Sequence, residues 1–174
     1  MTAPIYTVGH SNRSLDDLVA LLGAFGVKTL VDIRTVPRSR HNPQFNTDTL
    51  GASLAPHGIA YAHLAALGGL RKPRPDSPNG AWRNESFRGY ADHMQTEAFT
   101  HGLGELIALA EQAPTAIMCA EAVPWRCHRS LVADALLARG LSVAHIMSPT
   151  RANPHKLTSF ARLNGVQVTY PSLL

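Results

Sequence analysis

The chain of 174 residues suits one domain and leaves no room for a second full one, since a domain typically holds roughly 100 to 200 residues. An apolar share of 45% against 16% charged residues excludes wholesale disorder, and no stretch nears the roughly 20 apolar residues of a membrane span. Lys and Arg number 16 against 12 Asp and Glu, and this formal charge of +4 favours anionic partners while falling short of the dense basic stripe of a dedicated nucleic-acid binder.

Ile5-Tyr6-Thr7-Val8 reads as a strand that leaves through Gly9 into the polar loop His10-Ser11-Asn12-Arg13. Ser14 with Asp17 three residues on resembles a capping box, Leu15, Leu18, Val19, Leu22 and Phe25 follow at helical spacing, and Gly26 ends the helix. Thr29-Leu30-Val31-Asp32-Ile33 is the continuous β-branched run of a strand buried on both faces. Its exit carries Arg34, and the stretch up to Phe45 mixes Pro37 and Pro43 with Arg38, Arg40 and His41, which excludes regular structure and gathers positive charge in one functional loop. A short helix over 49–54 and a strand at Ile59-Ala60-Tyr61 follow. Residues 67–84, rich in Gly and Pro, form a long irregular excursion of the kind that serves as a lid or binding segment.

Helical spacing returns over 87–94 and 96–113, where Phe99, Leu103, Leu106, Ile107 and Ala110 share a face. Thr115-Ala116-Ile117-Met118-Cys119 is a further buried strand, followed by a loop with Pro124, a helix over 126–138 stopped by Gly140, and a strand over 142–146. Asn153-Pro154 predicts a last helix reaching Leu163, and 166–170 a terminal edge strand. Strands alternating with helices over 1–174 predict a single α/β domain, a mostly parallel sheet with helices on both faces in a Rossmann-like three-layer sandwich. In such sheets ligands bind at the carboxyl ends of the strands, where Gly9-His10-Ser11, Asp32-Ile33-Arg34 and Cys119-Ala120-Glu121 all fall.

The chemistry of those ends points to anions. Cys127-His128-Arg129 stands at the expected first turn of a helix, where free N–H groups and the dipole attract phosphate and favour a thiolate, which makes Cys127 the better candidate nucleophile. Cys119 reads either as a small hydrophobe closing a buried strand or as a second thiol of the site. Glu121 is an acid/base candidate or a cap paired with Arg126. Asp32 on a buried strand end needs a partner, which Arg34 supplies, and both are expected at the site; Arg34, Arg38 and Arg40, with His10 and Ser11, are expected to bind the anion.

Phosphatase or rhodanese-like chemistry is disfavoured, because the position six beyond Cys119 is Trp125, and Arg126 comes one place late for a phosphate clamp. Cys119, Cys127, His128 and His10 are zinc-ligand types, but cysteines eight apart with no second close pair do not have structural zinc spacing, so no metal or cofactor is expected. The same spacing, lacking C-x-x-C, argues against a redox pair. Two cysteines and no basic, apolar leader point to a cytoplasmic protein.

Taken together, Val8-Gly9-His10-Ser11-Asn12-Arg13, Leu30-Val31-Asp32-Ile33-Arg34 with Pro37-Arg38-Ser39-Arg40 and Phe45, Leu67-Gly68-Gly69 with Arg71, Phe87-Arg88-Gly89-Tyr90-Ala91, and Cys119-Ala120-Glu121 leading to Cys127-His128-Arg129 resemble the domain of unknown function 488 family from about residue 6 to 146. The resemblance implies an α/β fold with these motifs at one site; it supplies no reaction. Two readings stay open: an enzyme on a phosphorylated or nucleotide-like substrate, within nucleic acid or free, using Glu121, Cys127, Asp32 and His128 with Arg34, Arg40 and Arg129 on the anion; or a non-catalytic nucleotide or nucleic-acid binding module with structural cysteines. A closed cleft around Glu121 favours the first and a flat basic face the second.

Overall fold

The computed structural model describes residues 3–172. Strands β1 (Ile5–Gly9), β2 (Thr29–Asp32), β3 (Ala60–His63), β4 (Thr115–Cys119), β5 (Val143–Ser148) and β6 (Arg151–Pro154) form one six-stranded sheet in the order β3-β2-β4-β1-β5-β6. The first five run parallel and β6 closes one edge antiparallel to β5.

Helices cover both faces, and the pleat decides which residues meet them. Leu30, Ala116 and Met118 pack with Leu18, Leu21 and Leu22 of α1 (Leu15–Ala24) and Leu50 and Leu54 of α2 (Thr47–Leu54). Their strand neighbours Val31, Ile117 and Cys119 point the other way, into the layer of α3 (Glu85–His93), α4 (Glu97–Gln112) and α5 (Arg129–Ala138). A central parallel strand therefore has no polar face, which is why β2 and β4 are buried at every position. Ser14 caps α1 as its spacing predicts, its hydroxyl oxygen accepting from the Asp17 N–H at 3.0 Å, and Gly26 adopts the left-handed conformation that turns the chain toward β2.

The last third departs from expectation. No helix runs from Asn153 to Leu163: Ser148 leads through a two-residue turn at Pro149-Thr150 into β6, and Pro154 closes that strand. As β6 is an edge strand, the missing N–H of Pro154 costs the sheet little. The expected terminal edge strand is β8 (Gln167–Thr169), which pairs with β7 (Arg162–Asn164) in a separate hairpin rather than joining the main sheet. Helix α5 likewise begins at Arg129, three residues later than expected, because Pro124–Arg126 forms its own short 3-10 turn. Only the start of the 67–84 excursion approaches the carboxyl edge of the sheet; the rest is strapped to α3 by buried Asp92, which accepts from Arg74 N, Ser77 Oγ and Asn79 Nδ2.

Candidate functional site

The connection leaving β1 runs to α1 on one face of the sheet and that leaving β4 runs to α5 on the other. Adjacent strands whose exits diverge in this way open a crevice at their carboxyl ends, and a cavity of about 750 Å³ lies there. The ladder between the two strands continues into its wall, with His10 N–H donating to the Cys119 carbonyl and Ser11 N–H to that of Ala120, both at 2.9 Å. Ser11 takes φ +48° to make this turn. Gly9 is required by close approach: a Cβ there would overlap the Glu121 carbonyl oxygen and stand 2.7 Å from Arg129 Nη1.

Asp32 lies outside the cavity, wholly buried, with both carboxylate oxygens occupied. Oδ1 accepts from Arg34 N at 3.1 Å and Nε at 2.9 Å, and Oδ2 from Arg34 Nη2 and the Tyr61 hydroxyl, each at 2.7 Å. Burial pushes the Tyr61 hydroxyl up to about 12, so it stays protonated as a donor to Asp32. Arg34 lines the cavity, but its guanidinium also serves Phe45 O at 2.6 Å and His10 Nε2 at 3.3 Å, which leaves one N–H of Nη1 for a ligand. His10 accepts there and so donates from Nδ1 to Ser11 O at 2.8 Å; burial, aided by the Arg34 charge, lowers its pKa and keeps it neutral. Asp32, Arg34 and His10 thus form a rigid chain that fixes Ser11 at the cavity rim.

The opposite wall holds the sulfur atoms. Cys119 and Cys127 both line the cavity, and their Sγ atoms meet, with Cα atoms 7.2 Å apart. The eight-residue spacing suggested no such pairing; the 3-10 turn at Pro124–Arg126 folds the loop back and closes the gap. Cys127 precedes the helix, and the Arg129 N–H of the first turn points at its sulfur at 3.5 Å. His128 Nε2 donates to Ile33 O at 2.8 Å, which leaves unprotonated Nδ1 facing Cys127 Sγ at 3.5 Å. Burial holds His128 down to about 4, so the imidazole is a neutral acceptor.

Arg129 is not a cavity residue. Its wholly buried side chain runs behind the loop that follows β4, where Nη1 donates to Glu121 O at 2.8 Å and Nη2 to Ala122 O at 2.9 Å. Burial, with the nearby Arg13 charge, lowers its pKa to about 10. Its work is to shape that loop so that exposed Glu121 is presented at the cavity. Exposed Arg38 also lines the cavity, whereas exposed Arg40 does not.

Other lining residues had no site role assigned from the sequence. Arg126 brings a second exposed guanidinium, and Leu70 and Phe87 make an apolar wall with Val36; Leu70 is 75% and Val36 60% exposed. Exposed Leu70, following two glycines that let the chain pass His128, was the available signal: a Cβ on Gly69 would stand 2.5 Å from His128 Nδ1. Among the described residues no group of three or more His, Cys, Asp or Glu is placed to hold a metal ion, and no helix is long and apolar enough to cross a membrane.

The family model described as Domain of unknown function DUF488 matches residues 14–136, well over half of the chain. Comparison with curated proteins and with solved structures gave no match.

Proposed function

The chain belongs to the DUF488 family, and for this member we propose an enzyme that acts, in the cytoplasm, on a phosphorylated or nucleotide-like substrate in the cavity at the carboxyl edge of the sheet. One observation carries the reading: the Cys127 sulfur beside the His128 imidazole, a carboxylate and two uncommitted guanidinium groups surround one cavity that also has an apolar wall. Arg38 and Arg126 supply bidentate donors for the anionic group, and the last N–H of Arg34 adds a third contact. Leu70, Val36 and Phe87 suit a planar or apolar portion, and about 750 Å³ fits a ligand of nucleotide size.

In the reduced protein Cys127, released from Cys119, is the nucleophile in this reading, with the His128 Nδ1 lone pair accepting its proton and the N–H of Arg129 stabilising the sulfur as charge grows. Glu121 moves the proton at the leaving group. Asp32 and Arg129 act through others: the first orients Arg34, the second holds the loop that carries Glu121. The alternative is a binding module that uses the same arginines and apolar wall without chemistry.

The test is to incubate the reduced protein with pooled nucleotides, sugar phosphates and short oligonucleotides and follow each by mass spectrometry. Turnover that Cys127→Ser and Glu121→Gln each abolish, with the fold intact, is the expected result. Turnover unchanged in both variants would remove Cys127 and Glu121 from the chemistry, and no turnover in any pool despite measurable binding would favour the binding module.

A further inference from the structure

We propose that Cys119 and Cys127 form a dithiol that a hydroperoxide converts to an intramolecular disulfide, with Arg129 as the residue that primes Cys119 for oxidation. The proposal stands whether or not the cavity is catalytic.

It starts from a charge without a counter-charge. Arg129 is wholly buried, and no carboxylate among the described residues stands within ion-pair distance of it. Its Nε has no hydrogen-bond partner, and its other bonds go to two carbonyls and to Cys119 Sγ, which lies 3.4 Å from Nη1. A buried guanidinium met only by neutral acceptors is costly, and a partner that can become an anion relieves the cost. Cys119 is that partner, since a cation beside a thiol favours the thiolate.

The other charged groups around the pair do not replace it. Asp134 on α5 is spent on His155 Nε2 and the Tyr170 hydroxyl, each at 2.7 Å. His145 on β5 is held neutral, at about 3, first by burial, and His128 is neutral for the same reason. Arg13 on the β1 exit adds positive field, and Glu121, exposed on the β4 exit, opposes it from solvent. Cys127 completes the device, on the same cavity wall and in contact with the first sulfur.

The chemistry balances in two steps. The Cys119 thiolate attacks one peroxide oxygen; the O–O bond breaks, an S–O bond forms, hydroxide leaves, and sulfur is oxidised to the sulfenic acid as the peroxide is reduced. The Cys127 thiol then displaces the sulfenic oxygen, an S–S bond forms, and that oxygen leaves as water with the thiol proton and the sulfenic proton. One thiolate, one thiol and one peroxide give a disulfide, a hydroxide and a water.

The test uses the full chain, reduced and then titrated with hydrogen peroxide. Intact mass should fall by two hydrogens, both thiols should vanish together from alkylation, and digestion should join the peptides carrying Cys119 and Cys127. In Cys127→Ser the oxidation should stop at a sulfenic acid on Cys119 that a dione reagent traps, and the alkylation rate of Cys119 should rise with pH at a midpoint at least about one pH unit below the roughly 8.5 of a free thiol. If Cys127→Ser does not fold, the wild-type titration decides alone. A disulfide between chains, independent loss of the two thiols, or a Cys119 midpoint at or above that of a free thiol would overturn the proposal.

Discussion

Gly9→Ala places one methyl group where β1 touches the loop after β4. The new Cβ overlaps the Glu121 carbonyl oxygen and lies 2.7 Å from Arg129 Nη1, so backbone has to move. The loop must withdraw, and three bonds holding it are at stake: His10 N–H to Cys119 O, Ser11 N–H to Ala120 O, and Arg129 Nη1 to Glu121 O. Two neutral bonds are worth about 1 kcal/mol each and the charged one about 2 kcal/mol, so the loss of stability should be about 3 to 5 kcal/mol. Urea unfolding measures it. Gly104→Ala is the control: nothing lies within 4 Å of that Cβ on the exposed side of α4, so the helix should gain about 0.5 to 1 kcal/mol. If Gly9→Ala changes stability by less than about 0.5 kcal/mol, the loop is not pressed against β1, and neither the Glu121 carbonyl nor the Arg129 guanidinium packs on Gly9.

Asp32→Asn keeps the shape but leaves buried Arg34 without its anion, and should cost about 3 to 5 kcal/mol by urea unfolding. Arg38→Ala and Arg126→Ala, both at exposed positions, should alter stability by no more than about 0.5 kcal/mol while weakening ligand binding, as read by isothermal calorimetry. For His128 the folded pKa, about 4, lies below its unfolded value of 6.5, so its contribution is complete above pH 6.5 and is lost as pH falls toward 4. The difference corresponds to at most about 3 kcal/mol, and His128→Gln should flatten the acid limb of the stability–pH curve by roughly one proton. His145, held at about 3, acts with the same sign and should preserve part of that limb.

The three strand ends that build the site were legible because a parallel strand covered on both faces is a continuous apolar run, and its polar exits stand out at Gly9, Asp32 and Cys119. Beyond Pro149 the local signal misled: Asn153-Pro154 reads as a helix start, whereas pairing of Ala152, Asn153 and Pro154 with β5 is a long-range contact no local pattern announces. Arg38 and Arg129 were read alike as cations for the anion; Arg38 is exposed and lines the cavity, whereas Arg129 is wholly buried, because the loop after β4 folds back over it. The cysteine pair was obscured the same way, since an eight-residue separation says nothing of a 3-10 turn that brings the sulfurs together. Arg126, discounted for its distance in sequence from Cys119, lines the cavity from the far side of that turn.

The reading of the cavity as an anion-binding site is tested most directly by the melting temperature of the reduced protein against nucleoside monophosphates, sugar phosphates and their unphosphorylated counterparts. A ligand that binds only the native state must raise it, by the equivalent of about 2.7 kcal/mol at a hundredfold excess over its dissociation constant. The expected result is a rise with at least one phosphorylated compound, absent for its unphosphorylated counterpart and lost in Arg38→Ala/Arg126→Ala. Equal shifts with and without phosphate, or a shift that survives the loss of both arginines, would contradict it.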